Sequence, residues 1–259
     1  MDILVVGAGE MGRWAADTLD ADLTFTDVDP AVAEDAAATR TGADAIDPID
    51  PDGTPGRTLP QFDAVCFAVP ITAIEPSIET YTPLATDAVF DLAGVMDAPI
   101  AAMRSHADAL ERASFHPLFA PPRAPGNIAA VLDSPGPTIE RVIDGFEAAH
   151  NRVFETTVEE HDRAMETVQA GAHAAILAFG LAAEDVREEF STPVSTGLND
   201  LLETVTEGSP SVYAEIQSTF EGADRVAEAA TEIAEADDET FERLYEAAGR
   251  NTRSRDRHE

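Results

Sequence analysis

The chain has 259 residues, 44% of them hydrophobic, and sets 50 acidic residues against 16 basic ones for a formal net charge of −34. So acidic a surface repels nucleic acid and anionic membranes, and neither is expected as a partner. No apolar run is long enough to cross a bilayer, Met1-Asp2-Ile3-Leu4 lacks the basic start of a signal peptide, and the lone Cys66 excludes an internal disulfide, which together predict a cytoplasmic protein.

Short apolar runs at residues 3–6, 23–26, 64–69 and 88–92 alternate with helical segments, the pattern of a parallel sheet with crossover helices. Residues 128–132 and 152–156 are further strand candidates. Residues 47–60, rich in Pro, Gly and Asp, predict a loop, and Pro70 closes a strand and opens a helix. The character then changes. Thr157-Val158-Glu159-Glu160 fits a capping box, with the Thr157 hydroxyl on an early backbone N–H and Glu160 reaching back. Alanine-rich helix follows to about residue 190, a break at Ser191-Thr192-Pro193, and further helices through residue 202, over 212–234 and up to Gly249. The expected fold class is α/β: a doubly wound Rossmann domain over residues 1–157, an all-helical domain over 158–250 and a frayed tail over 251–259.

Gly7-Ala8-Gly9-Glu10-Met11-Gly12 matches G-x-G-x-x-G, running straight out of the first strand and into a helix. The first glycine permits the tight turn, the second lets a pyrophosphate approach the backbone, and the third allows close helix–strand packing. The phosphates of a dinucleotide would sit on the free N–H groups from Gly9 through Glu10, Met11 and Gly12, at the positive end of the helix dipole. Asp27, twenty residues after Gly7 at the end of the second strand, is placed for the adenosine ribose hydroxyls, and its charge would repel a 2′-phosphate. The expected cofactor is therefore NAD. Arg13 is either a phosphate ligand or a solvated first-turn arginine.

Six histidines are present. His116 lies in Ser114-Phe115-His116-Pro117-Leu118-Phe119, at an expected strand end, where a simple turn is the alternative. His161-Asp162 opens the alanine-rich helix and His173 follows three turns later, as a buried core histidine or as a ligand. His106 and His150 are expected at the surface, and His258 lies in the tail. No H-E-x-x-H or Cys/His cluster suggests a metal.

The glycine fingerprint, Phe67-Ala68-Val69-Pro70, Asp91-Leu92-Ala93-Gly94-Val95, His116-Pro117-Leu118-Phe119, and His161-Asp162 with His173 give the chain a resemblance to the prephenate and arogenate dehydrogenases of tyrosine biosynthesis, over most of its length. The resemblance implies a Rossmann domain followed by a helical domain that forms a homodimer, with a small-molecule substrate in the cleft. It implies that His116 is the catalytic histidine, that His173 lines the substrate pocket, and that His161 and Asp162 fix the interdomain geometry. It implies NAD-dependent oxidative decarboxylation of prephenate to 4-hydroxyphenylpyruvate, or the corresponding reaction of arogenate. Two positions depart from the family pattern: Gly94 replaces a common serine, and Thr204 stands where bacterial members place a carboxylate-binding arginine. Arg123, in the loop after His116, is the candidate to hold a substrate carboxylate, or else an exposed loop arginine; Arg163 is the second choice. The competing functions are another two-domain dehydrogenase of a small acid and a nucleotide-binding regulator that has lost catalysis.

All sixteen basic residues are arginine, and the acids spread along the whole length. This composition resembles proteins of salt-in halophiles, where molar salt shortens the screening distance to ~3 Å.

Overall fold

The computed structural model describes residues 1–49 and 60–253, with side chains through residue 250. Most of the expected loop at 47–60, and the tail from residue 254 on, lie outside the described residues. The chain divides into two compact units, Met1–Ala164 and Met165–Glu259.

The first unit is built on one sheet. In chain order it contains β1 (Asp2–Val6), α1 (Glu10–Thr18), β2 (Asp22–Thr26), α2 (Pro30–Ala38), β3 (Asp44–Ala45), β4 (Phe62–Phe67), α3 (Ile74–Tyr81), β5 (Ala85–Asp91), α4 (Asp97–His106), β6 (Glu111–Pro117), β7 (Asn127–Ser134), α5 (Pro137–Ala148), β8 (Arg152–Glu155) and α6 (Val158–Met165). The strand order is β3-β2-β1-β4-β5-β6-β7-β8. Strands β1 to β6 pair in parallel, which makes β1/β4 the point where the strand order reverses, and there α/β sheets open a crevice at the strands' carboxyl ends. The strands expected to be parallel are parallel; β7, a later candidate whose direction the sequence left open, pairs antiparallel with β6, while β8 pairs parallel with β7. The cause is length. Only residues 118–126 join β6 to β7, too few for the helical crossover that a parallel return needs.

Both faces of the sheet are covered, and so its strands read as unbroken apolar runs rather than alternating ones. Ile3, Val5, Ala64, Cys66, Ala88 and Phe90 point into one core with Trp14 and Phe146, whose rings stack 5.5 Å apart. Leu4, Val6, Val65, Phe67 and Val89 point into the other, against Ile74 and Ile78 of α3 and Ile100 and Met103 of α4.

The second unit is helical: a π-helical stretch over Glu166–Gly171, then α7 (Ala172–Ala182), α8 (Pro193–Thr206), α9 (Pro210–Thr219), α10 (Gly222–Glu235) and α11 (Asp238–Arg253). Thr192 and Ser195 form a reciprocal capping box at α8, where the sequence marks a break. The single helix expected over residues 212–234 is two helices. A side chain at Gly222 would collide with the Glu166 carbonyl and the Gly171 amide, so the chain turns there to bring α10 against the π-helical backbone.

Candidate active site

The glycine loop lies between β1 and α1, at the strand-order reversal. Gly7 has φ +96°, and a Cβ there would overlap the carbonyl oxygen of Ala68 after β4; a Cβ on Gly12 would overlap the Gly7 carbonyl. Gly9 differs. Nothing lies within 4 Å of the position its Cβ would take, which is the condition for a ligand's close approach to the backbone. Glu10, Met11 and Gly12 form the first turn of α1, whose leading N–H groups receive no side-chain cap. The loop thus fits a pyrophosphate.

Asp27 stands at the carboxyl end of β2, where the sequence predicts an acid. Its Oδ2 accepts the Ala8 N–H at 2.8 Å and its Oδ1 the Asp29 N–H at 3.1 Å, so the carboxylate also pins the glycine loop. Each carboxylate oxygen has a second lone pair that these bonds leave unused. Arg13, read from the sequence as a phosphate ligand or a solvated arginine, is tied into the structure. Its Nε donates to the Ala8 carbonyl at 2.8 Å, and its terminal nitrogens donate to Asp35 at 2.8 Å and the Val32 carbonyl at 3.1 Å, making it a brace between the loop and α2.

His116 lies near the end of β6, 6% exposed, in register with Ala129 of β7. Its Nδ1 is 2.9 Å from His161 Nε2, and His161 Nδ1 is 2.7 Å from Asp162 Oδ1. Asp162 in turn accepts the backbone N–H groups of Met96 at 3.1 Å and Asp97 at 3.2 Å, which open α4. A Cβ placed on Gly94 would sit 3.7 Å from His116 Nε2, in ordinary contact. Burial, with a further push from His161 against a weaker pull from Asp162, depresses the His116 pKa to about 3, so the imidazole is neutral at working pH. His161 and Asp162, expected to fix interdomain geometry, belong to the first unit, where His161 bonds to His116 and Asp162 bonds to His161. Forty-five residues separate the two histidines, and nothing local in the sequence signals their contact.

At the carboxyl end of β5, Asp91 is fully buried and its Oδ1 accepts the Ala93 N–H at 2.9 Å, which shapes the turn leading to Gly94. Burial lifts its pKa to about 8, against the lowering effect of the Ala93 N–H and the Ser114 hydroxyl. Burial therefore favours the protonated form of the carboxyl beneath the turn.

The remaining candidates are spread more widely. Arg123 ends a short 3₁₀ turn after β6 and is exposed, and Arg163 is exposed on α6. In the helical unit, His173 lies on α7, half-buried, with its ring 4.7 Å from that of Tyr213, and burial lowers its pKa. Its Nδ1 is buried without a hydrogen-bond partner. Tyr213 lines an apolar cavity of about 450 Å³ with Leu177, Val205 and Gln217. Thr204 is exposed and its hydroxyl returns to the Asp200 carbonyl. His106 and His150 are exposed, as expected. Among the described residues no group of three or more His, Cys, Asp or Glu side chains is gathered for a metal, and no helix is long and apolar enough to cross a membrane.

No protein-family model matches the chain. It is 28% identical, over 94% of its own length and 88% of the relative's, to a 4-amino-4-deoxyprephenate dehydrogenase of Streptomyces pristinaespiralis. Among solved structures it is similar to prephenate dehydrogenase of Aquifex aeolicus in complex with hydroxyphenyl propionate and NAD⁺, with a TM-score of 0.68 and 15% identity, covering 98% of each chain. It is also similar to the Synechocystis arogenate dehydrogenase, with a TM-score of 0.64 and 17% identity, covering all of both chains. The chain is thus similar in sequence to a 4-amino-4-deoxyprephenate dehydrogenase and shares the fold of prephenate and arogenate dehydrogenases, a sheet-based unit followed by a helical one.

Proposed function

We propose that the protein is an NAD-dependent dehydrogenase that converts prephenate to 4-hydroxyphenylpyruvate with loss of carbon dioxide, for tyrosine biosynthesis. The observation that carries this is His116: a buried neutral imidazole near a strand end of the sheet that holds the glycine loop. Gly9, the first turn of α1 and Asp27 would hold the cofactor, and the carboxylate of Asp27 favours NAD over a 2′-phosphorylated cofactor. When bound, that cofactor accepts the hydride that leaves C4 of the ring. As the hydride departs, positive charge develops at C4 and its hydroxyl, and His116 accepts the hydroxyl's hydrogen bond and disperses the charge. The bond from C1 to the carboxylate breaks, its electron pair enters the ring, and carbon dioxide and an aromatic ring result.

His173 and Arg123 are proposed as substrate-binding residues, His173 through its unpartnered Nδ1 and Arg123 as an exposed cation on the turn after β6. The proposed partner is a second copy of the chain. No residue of α7 is fully buried although the helix is almost wholly apolar, and Leu181, Phe190 and Val194 are 90%, 65% and 74% exposed in the same unit. Apolar surface of this kind marks an interface.

A substrate bearing an amino group at C4 is the alternative, favoured by the name of the Streptomyces relative and by its similarity along nearly the whole chain. Arogenate, altered only in its side chain, is the other. Turnover of prephenate, arogenate and 4-amino-4-deoxyprephenate, each with NAD and NADP at molar salt, separates them. The expected result is prephenate with NAD, and a loss of ~10²–10⁴-fold in turnover for His116→Asn with NAD binding retained. Near wild-type turnover in that variant, or a tenfold preference for NADP, overturns the assignment.

A further inference from the structure

Three side chains and two backbone amides form one continuous chain of hydrogen bonds behind His116: His116 Nδ1 to His161 Nε2 at 2.9 Å, His161 Nδ1 to Asp162 Oδ1 at 2.7 Å, and Asp162 to the N–H groups of Met96 and Asp97. We infer that the His161–Asp162 pair is a positioning device that fixes His116 in the tautomer with the proton on Nδ1 and the lone pair on Nε2, the nitrogen that faces Gly94.

The direction of each bond follows from what its partners can do. Asp162, as a carboxylate, can only accept, and the two amides at the head of α4 hold it in place as a far-reaching cap. The short contact from His161 Nδ1 is therefore an N–H donor. With one proton on each imidazole, His161 Nε2 is the acceptor, and the bond to His116 requires the hydrogen on His116 Nδ1. What remains on His116 Nε2 is a lone pair. The ring that must accept a hydrogen bond from the substrate is thus preset to do so, at no cost of tautomer exchange during turnover. Burial of His116 and His161, at 6% and 3% exposure, keeps water from competing for these nitrogens. The same Asp162 bonds anchor the segment just after Gly94, so one carboxylate sets both the ring and the turn it faces.

The catalytic consequence rests on the role proposed for His116; the tautomer does not, and the two are tested separately. Selective ¹⁵N-histidine labelling at pH 8, assigned with His116→Asn and His161→Gln, reads the protonation of each ring nitrogen in the full-length protein without substrate. The expected spectrum shows His116 protonated at Nδ1 and bare at Nε2, and Asp162→Asn, whose amide can donate to His161, reverses both rings. A wild-type His116 protonated at Nε2 overturns the inference, whatever the activity.

Kinetics supply the second arm, using whichever of the three acids turns over fastest. His161→Leu and Asp162→Asn are expected to lower kcat by ~10²–10³-fold with KM within threefold and NAD affinity unchanged. His161→Gln, whose amide oxygen can accept from His116 while its nitrogen donates to Asp162, is expected to recover kcat to within tenfold of wild type. Equal losses in the Gln and Leu variants, or losses that track the melting temperature alone, reduce the pair to packing and overturn the inference. Should the wild-type tautomer be as stated while His116→Asn retains turnover, the proposed role of His116 fails and the hydrogen-bonded device stands.

Discussion

At the scale of single residues, chemistry and structural support are often carried by the same groups. Asp27, proposed to hold a ribose, also ties down the glycine loop, and Arg13 is engaged in three structural bonds. This leaves few cations for the dianionic substrate proposed above. Arg104 and Arg112 are both bound to Asp133, and Arg40 is bound to Asp17. Arg123, by contrast, is exposed on its 3₁₀ turn and takes part in no ion pair among the described residues. Arg123→Ala is expected to raise KM for prephenate roughly ten- to hundredfold, the effect of losing a charged hydrogen bond of ~1.5–3 kcal/mol, and to change kcat less, because the contact is made in both ground and transition states. A KM within a factor of two of wild type would place the carboxylate contact elsewhere, with Arg163 the next residue to replace.

At the scale of elements, two helices of the sheet unit are capped by carboxylates distant in sequence rather than by their own N-cap side chains. Asp162 does this for α4, and Glu111, on β6, does it for α5: Glu111 Oε2 accepts the Thr138 and Ile139 N–H groups at 2.8 and 2.9 Å, while the N-cap is Gly136. A side chain at position 136 would collide with the Glu111 carboxylate, so the glycine is required for the cap to reach. Glu111→Ala is expected to cost about 0.5–2 kcal/mol of stability in denaturant titration, the usual value of a lost cap, with NAD affinity unaffected. An unchanged midpoint would show that water replaces the carboxylate without loss. The expected capping box at α6 is half present by the same accounting. Thr157 Oγ1 accepts the Glu160 N–H at 3.1 Å, but the Glu160 carboxylate takes the Thr156 hydroxyl at 3.0 Å instead of returning to the Thr157 amide.

At the scale of the whole molecule, the two units differ in how they are held. The sheet unit has two large cores, one on each face, whereas the buried apolar residues of the helical unit are few: Met165, Ala170, Val205, Ile216 and Phe220. Its helices α10 and α11 are rich in exposed acid. At a formal charge of −34, lowering salt from 1 M to 0.01 M lengthens the screening distance from ~3 Å to ~30 Å and brings these charges into mutual repulsion. The helical unit is expected to loosen first: amides of α10 and α11 should lose hydrogen-exchange protection at millimolar salt before those of β1, β4 and β5, with a lower melting temperature overall. A melt unchanged between the two salt concentrations would dispose of this.

Much of the fold is legible in the amino-acid order, because its causes are local. Apolar runs bounded by turn residues announce β1, β2, β4 and β5, the glycine fingerprint announces the turn into α1, and the acid at residue 27 falls twenty residues on. Gly7 and Gly12 have the tight packing, and Gly9 the open face, that their spacing implies. What the order could not show depends on contacts between distant residues. The reversal of β7 is set by the length of a loop, and the break before α10 by the close approach of Gly222 to the π-helical backbone. The bonds joining His116, His161 and Asp162 to the head of α4 connect segments dozens of residues apart. Residue types and spacings can nominate a histidine for catalysis, but which of its nitrogens carries the proton is decided by the neighbour that accepts from the other one, and only the folded chain supplies that neighbour.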